Sequence, residues 1–479
     1  MELSLHPRII QGGMGIGLSD WRLARAVSRA GELGTVSGTG VWMVLTRRLQ
    51  DGDPGGHVRR ALENFPFPRI AEKILGRYFV EGGRSPVEPY RTPPMLSHPL
   101  KTAAAALLVA ASFVEVWLAK DGHDGAVAVN YLEKIQLAHL PSLYGAMLAG
   151  VDYVIMGAGI PHQIPGALDE LSQHRPASYR LTVIGEKAGE GIEERFDPAE
   201  IGVDEGAPPL KRPYFLPIIS SHVLGAMLLK RSNGRVDGFV VEGPRAGGHN
   251  APPRNRRRAA DDTSPLYGPQ DDANLEEMRA MGLPFWLAGS YARPGALDEA
   301  IAAGAQGIQA GSIFALCQDS ALRADLRSDA IEQALAGELA VMTNMDGSPS
   351  GFPFKEAGLD NTLSRDAVYD ARERICDLGI LRSPYRAEDG RLDYRCPGEP
   401  VDKYLTKGGD EASTVGKRCL CNALLATISL PQVRSIEGSD EPYVEQPLVT
   451  LGEDLSFLGE LENPRGYSAA DAVRMLRGG

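Results

Sequence analysis

The chain predicts a (β/α)8 barrel with insertions after its second and fourth strands and a C-terminal appendage, and three observations carry that expectation. Short apolar runs alternate with helical segments, the pattern of a parallel sheet covered by helices. The candidate strands number eight, read off in the order Arg8 to Gly12, Gly34 to Gly38, Gly125 to Asn130, Asp152 to Met156, Tyr214 to Ser220, Gly238 to Glu242, Phe285 to Gly289 and Gly307 to Gly311. Turns bearing glycine, serine, asparagine or histidine follow these runs, at the C-terminal strand ends where a barrel carries its chemistry.

Helical segments fill the intervals: Trp21 to Ala30, Pro141 to Ala149, Pro165 to Ser172, Val223 to Lys230, Leu275 to Met281 and Ala296 to Ala303. The run Thr102 to Ala119 is rich in Ala, Leu and Val, but Lys101, Glu115 and Lys120 bound or interrupt it. Its uncharged part is shorter than the roughly 20 residues a bilayer needs, so a buried barrel helix is expected. Residues 42–99, rich in Pro, Gly and Arg, read as an insertion crossing the mouth of the barrel. Residues 178–213 read as a second insertion with a short hairpin of its own, and the two are expected to supply much of the pocket wall. The barrel is assigned to residues 1–355 and a mostly helical appendage, packed on it, to 356–479.

Length and composition agree with this plan. The 479 residues accommodate one barrel of roughly 250 residues plus insertions and a further module. A net charge of −12 argues against a nucleic-acid-binding surface and gives no reason to expect anionic lipid as a partner. The chain opens without a charged segment, apolar stretch and small-residue cleavage site in succession, so a cytoplasmic protein with reduced cysteines is expected. A homodimer is the default assembly for a soluble enzyme.

The most informative stretch is Val240-Val-Glu-Gly-Pro-Arg-Ala-Gly-Gly-His-Asn-Ala-Pro-Pro253. Gly247 and Gly248 allow backbone N–H groups to approach an anion, and His249 places a titratable imidazole beside them. Alone, Gly-Gly-His is an ordinary surface turn. After the sixth strand of a barrel it faces the catalytic mouth, together with Gln11-Gly12-Gly13-Met14, Asn130, Gly157, Ser220-Ser221-His222, Gly289-Ser290 and Gly311-Ser312.

These residues carry a resemblance. Ile10-Gln-Gly-Gly-Met-Gly15, Ala246-Gly-Gly-His249, Leu287-Ala-Gly-Ser290 and Gly304-Ala-Gln-Gly-Ile-Gln-Ala-Gly-Ser-Ile-Phe314, in order on successive strands, resemble the nitronate monooxygenase (2-nitropropane dioxygenase-like) flavoproteins. That group includes flavin-dependent enoyl reductases of fatty-acid synthesis and related polyunsaturated-fatty-acid and polyketide enzymes. The resemblance spans about residues 6 to 355 and implies an FMN-dependent oxidoreductase. It places Gly13 and Met14 along the flavin ring, and Gly247, Gly248, Gly289, Ser290, Gly311 and Ser312 around the FMN phosphate. Asn130 and Gln309 are candidate hydrogen-bonding partners of the flavin or its ribityl chain. His249 is the catalytic candidate, as a base toward a carbon acidified by a nitro group or as a partner of nitronate oxygens. His222 reads as a helix-start residue, and Asn250 as a lesser pocket residue.

Two departures from the family pattern stand out. Gly-Thr-Arg-Phe after the eighth strand is Gly311-Ser-Ile-Phe here, removing a cation near the phosphate, and Ala251 replaces a glycine. The favoured activity is oxidation of alkyl nitronates with O2. The alternatives are an NAD(P)H-dependent enoyl reductase acting on an acyl thioester and, third, a non-catalytic scaffold. A covalent thiol mechanism is set aside because no cysteine precedes Cys317, and a Rossmann domain because Gly13-Met-Gly15-Ile-Gly17 lacks the dinucleotide spacing. Cys376, Cys396, Cys419 and Cys421 lie in the appendage, Cys396 before a proline. Their spacing is poor for zinc, so no metal site is assigned.

Overall fold

The computed structural model describes residues 6–187, 189–204, 206–254, 264–435 and 441–478. Eight parallel strands form the barrel: β1 (Ile9–Gln11), β2 (Gly34–Ser37), β3 (Val127–Leu132), β4 (Tyr153–Gly157), β5 (Tyr214–Ile219), β6 (Phe239–Glu242), β7 (Phe285–Ala288) and β8 (Gly307–Ala310). Each pairs with its neighbour in chain order, and β8 returns to β1 with Ile9 opposite Ile308. The circle closes between β1 and β2, where the Leu33 N–H donates to Ile9 O at 3.1 Å and the Gln11 N–H to Leu33 O at 3.0 Å. The fold is a (β/α)8 barrel.

Two apolar layers hold it. Inward-facing Ile10, Ala128, Ile155, Leu216, Val240 and Trp286 fill the barrel, and a larger shell packs strands against helices. The Trp286 indole N–H donates to Pro7 O at 2.7 Å, satisfying its polar atom at the floor. The helix Thr102–Lys120 is long and apolar enough by length and composition to cross a membrane, yet 78% of that window is buried inside the protein. Its Glu115 carboxylate accepts from Arg48, which also reaches Asp20 at 3.0 Å, while Asp20 caps the helix Trp21–Arg29. A helix apolar all round fits this interior place.

Residues 42–99 do not cross the mouth. They fold into the helices Val41–Gln50, His57–Glu63 and Pro68–Tyr78, which pack around Thr102–Lys120. The physical reason is their apolar content: Trp42, Leu45, Leu49, Val58, Leu62 and Phe65 are all buried, and the helix behind them offers the complementary face. Residues 178–213 do carry a hairpin, Ala177–Arg180 against Glu193–Phe196, anchored beside the barrel by the Tyr179 hydroxyl donating to Glu133 at 2.7 Å.

The C-terminal region is not mostly helical. Its described part has the helices Asp366–Asp370, Val401–Thr406, Leu420–Thr427 and Ala469–Leu476, the hairpin Ser383–Arg386 with Leu392–Arg395, and much extended chain. A further hairpin, Val341–Asn344 with Phe354–Ala357, bridges from barrel to extension. The chain then passes over the barrel mouth, and Arg477 finally pairs with Glu32 at 2.8 Å beside β2.

Candidate functional site

At the C-terminal strand ends lies a cavity of about 1290 Å³ including its open mouth. All eleven residues predicted from the sequence line it: Gly13, Met14, Asn130, Gly247, Gly248, His249, Gly289, Ser290, Gln309, Gly311 and Ser312. None of residues 42–99 or 178–213 does. The rest of the wall comes from other barrel residues, among them Thr39, Leu132, Ile218 and Tyr291, from Phe354, and from the extension through Leu424, Thr450, Leu451, Gly452 and Asp454. The expectation that the two insertions supply the wall is therefore corrected. His222 lies elsewhere: it opens the helix His222–Arg231, where Ser221 is the cap, and its Nδ1 accepts from the Asn274 N–H at 3.3 Å.

The floor is set by β1 and β3. Gln11 is buried and bridges strands by accepting from the Thr35 N–H at 2.8 Å and donating to Ser19 Oγ at 2.9 Å. The Met14 N–H also donates to Ser19 Oγ, at 3.0 Å, which fixes the Gly12–Met14 turn. Asn130 Nδ2 donates to Gly13 O at 3.4 Å, and a Cβ at Gly13 would fall 2.3 Å from Asn130 Cβ. Gly13 is thus required by the close approach of Asn130.

Two turns offer groups to an anion. Gly289 and Ser290 are both left-handed, with φ of 91° and 65°, a conformation that costs a serine and turns the backbone toward the cavity. The Ser290 hydroxyl and Gln309 Oε1 are buried without a partner. Gly311 precedes the short helix Ser312–Ala315, whose first N–H groups lack intrahelical acceptors. The glycines after β6 serve the protein first. A Cβ at Gly247 would lie 2.9 Å from Leu451 C and Gly452 N, and the Gly248 N–H donates to Thr450 Oγ1 at 2.9 Å. Ser312 Oγ accepts from the Gly452 N–H at 2.7 Å. Gly248 and the Ser312 hydroxyl are therefore both engaged by the extension, and Gly289-Ser290 and Gly311 provide the open part of the cradle.

His249 is fixed by the strand-like strap 348–355. Its Nε2 pairs with Ser348 Oγ at 2.8 Å, its ring meets Phe354 edge to face at 4.9 Å, and the Lys355 N–H donates to Gly248 O at 2.9 Å. Ser348 is fully buried and held by the Ser350 N–H at 3.1 Å and its hydroxyl at 2.7 Å. Burial lowers the imidazole pKa to about 4, so His249 is neutral throughout the physiological range. With Nε2 engaged, Nδ1 is left for a ligand. Asn250 is buried and donates to Ala246 O at 3.0 Å, supporting the turn without lining the cavity.

Among the lining residues the sequence reading did not assign, two charged ones lie at the end of β6. Glu242 ends β6 and faces the cavity; burial raises its carboxyl to about 8, against the pull of nearby Lys355. It is an acid at neutral pH. Its position, an acidic residue at a barrel strand's C-terminal end, was the available signal. Arg245 is solvent-exposed and lines the same cavity, offering a cation beside the turn in place of the one missing after β8.

Residues 214–351 match the family model for nitronate monooxygenase. That match covers less than a third of the 479 residues. The matched segment runs from β5 through the strap that holds His249. Among solved structures the chain is similar to FabK from Thermotoga maritima, at 14% identity over 99% of this chain and 93% of that one, with a TM-score of 0.48. It is similar to nitroalkane oxidase from Streptomyces ansochromogenes, at 13% identity over 99% and 95%, with a TM-score of 0.44. The enoyl reductase domain of MlnA from the macrolactin biosynthesis cluster of Bacillus amyloliquefaciens follows at 11% identity over 76% and 65%, TM-score 0.36. No curated protein matches the chain.

The residues present fit a flavin. Ser290 Oγ and Gln309 Oε1 are orphaned polar atoms on residues that line the cavity, and a phosphate and a polar ring edge would supply partners of the kind they lack. The Gly12–Met14 turn gives a side-chain-poor wall for a planar ring.

Proposed function

We propose that this chain is an FMN-dependent nitronate monooxygenase, oxidising alkyl nitronates with O2. The observation that carries the reading is the convergence of the orphaned Ser290 and Gln309 side chains, the Gly311-Ser312 turn and neutral His249 on one cavity. FMN is favoured over a dinucleotide because the turns suit one phosphate and no dinucleotide fingerprint is present in the sequence. Ser290, Gly311 and Ser312 would hold the phosphate with Arg245 nearby, Gln309 and Asn130 the ribityl chain or ring, and Gly13 and Met14 the ring face. Bound flavin supplies electron transfer and, when reduced, reaction with oxygen.

The chain's own contribution centres on His249. If Nε2–H donates to Ser348 Oγ, Nδ1 presents a lone pair to a substrate C–H; the opposite tautomer presents an Nδ1–H to a nitronate oxygen. Ser348 is thus the group that selects between accepting and donating. A pKa of about 4 makes the imidazole a weak base in the empty pocket, and an anionic nitronate would strengthen it.

A second reading rests on Glu242. A carboxyl protonated at neutral pH beside the same cavity suits protonation of a substrate α-carbon after hydride delivery to the β-carbon, the chemistry of an NAD(P)H-dependent enoyl reductase on an acyl thioester. An oxygen-uptake assay and, separately, anaerobic stopped-flow mixing with NADH or NADPH distinguish the two. The monooxygenase reading expects oxygen uptake with an alkyl nitronate and no pyridine nucleotide; fast flavin bleaching by NADH or NADPH, without nitronate-dependent uptake, would replace it with the reductase.

A further inference from the structure

The C-terminal extension gathers four of the five cysteines around one void. Cys376, Cys396, Cys419 and Cys421 all line a cavity of about 310 Å³ including its opening to solvent, together with Pro349, Gly379, Arg382 and Asn422. They arrive from three separate segments: the turn after the helix Asp366–Asp370, the Cys396-Pro-Gly398 turn after the hairpin, and the start of the helix Leu420–Thr427. Every one of the six pairs lies within electrostatic reach, and all four are free thiols. Chance seldom brings four cysteines separated by up to 45 positions to one wall, and their sequence spacing gives no hint of it.

Hydrogen-bond donors surround the four sulfurs. Each of the four sulfurs faces a backbone N–H: Gly379 toward Cys376, Gly398 toward Cys396, Asn422 toward Cys419 and Leu381 toward Cys421. The Asn422 amide adds a side-chain donor to Cys419 Sγ at 3.7 Å. Arg382 lines the same void, and Arg372 beside it is paired with Glu445 at 2.7 Å. Asp377 on its rim is already paired with Arg434 at 2.8 Å.

We propose that Cys376, Cys396, Cys419 and Cys421 are the ligands of a [4Fe–4S] cluster. Among the described residues no three His, Cys, Asp or Glu side chains converge as the ligands of one ion would. Four thiols spread round a shared void match a cluster, in which each thiolate binds its own iron. Cys-Pro at Cys396 and N–H groups directed at the sulfurs suit the same chemistry. On assembly each thiol releases its proton to solvent as its sulfur bonds iron. The position matters for the main pocket. Pro349 lines this void while its neighbour Ser348 holds His249, and the helix begun by Cys419 and Cys421 carries Leu424 into the flavin cavity. The cluster would pin the strap that orients His249.

The test uses the full-length chain, isolated without oxygen and treated with ferrous iron, sulfide and thiol reductant. Iron and acid-labile sulfide are then measured, because flavin absorption would mask a cluster in the visible. About four iron and four sulfide per chain are expected, with an electron-paramagnetic signal after dithionite reduction. Cys396→Ser and Cys421→Ser should each lose both elements to background while keeping the far-ultraviolet spectrum, and Cys317→Ser, remote from the void, should retain them. One tightly held zinc per chain in place of iron would overturn the proposal, as would wild-type protein that takes up neither metal and exposes four reactive thiols on unfolding.

Discussion

His249 combines a fixed ring with a lowered pKa, and the two together define what it can do. Its neutrality at pH 7 leaves one nitrogen ready to accept a proton, and Ser348 prevents the ring from turning away. If it acts as base, His249→Asn should keep flavin but lose about 10²-fold or more in kcat/KM on neutral nitroalkanes. Pre-formed nitronates, whose proton has already left, should lose less; equal losses on both substrate forms would assign the residue to binding. Ser348→Ala should lower kcat on nitroalkanes by about tenfold without changing flavin content, because the ring loses its tautomer partner. Glu242 gives the opposite pH signature. Its folded pKa of about 8 exceeds the ordinary 4.5, so it favours the folded state fully below about pH 4.5, and that contribution is lost as pH rises toward 8. Glu242→Gln should therefore leave the wild type relatively less stable across that window, with the gap in urea midpoints widening from pH 5 to pH 8. If the carboxyl is a proton donor in turnover, the same variant should remove a decline in kcat above about pH 8.

At the scale of elements, the turns after β7 and β8 do what those after β6 cannot. The Gly248 N–H is taken by Thr450, whereas the Gly311 region opens to the cavity, a Cβ there meeting only Met14 Sδ at 3.5 Å. Gly311→Asp should consequently fold normally and retain flavin poorly, at least about tenfold weaker, since a carboxylate would face the phosphate. Flavin released on gel filtration or ultrafiltration checks this, and unchanged retention would move the phosphate elsewhere. The eight strands were legible in the sequence because each is a short apolar run closed by glycine or a small polar residue, and the barrel rule converts those ends into one mouth. The three helices of 41–78 were not, because Pro, Gly and Arg between them mask apolar faces whose partner is a helix further along the chain. Glu242 was visible as a residue but not as an acid, since its pKa depends on burial contributed partly by the strap. Ser348 lies 99 positions from His249, a separation that no local pattern reports.

For the whole molecule, the extension completes the pocket. Thr450 and Gly452 bond to Gly248 and Ser312, Val449 O accepts from the Ala357 N–H at 2.9 Å, and Leu424 and Leu451 present apolar wall, so the barrel alone lacks one side of its cavity. Gly247 records the same dependence: its missing Cβ makes room for Leu451 and Gly452, main chain from 200 positions downstream. A chain ended at residue 355 would also cut the strap hairpin, whose Val341 pairs with Ala357, and would expose the apolar surface now covered by Leu448, Val449 and Phe457. Such a truncation should be poorly soluble or flavin-free when refolded, with a flavin-to-protein ratio near zero. The more selective variant is Thr450→Val. It keeps the side-chain volume but removes the acceptor for the Gly248 N–H, and leaving a buried donor unpaired costs about 1–3 kcal/mol. Thermal unfolding should shift down by several degrees and flavin affinity should fall with it, because the loop carrying His249 loses its tether. Unchanged flavin binding in that variant, with the expected loss of stability, would make the extension a brace for the barrel and leave the cavity's ligand to the β7 and β8 turns alone.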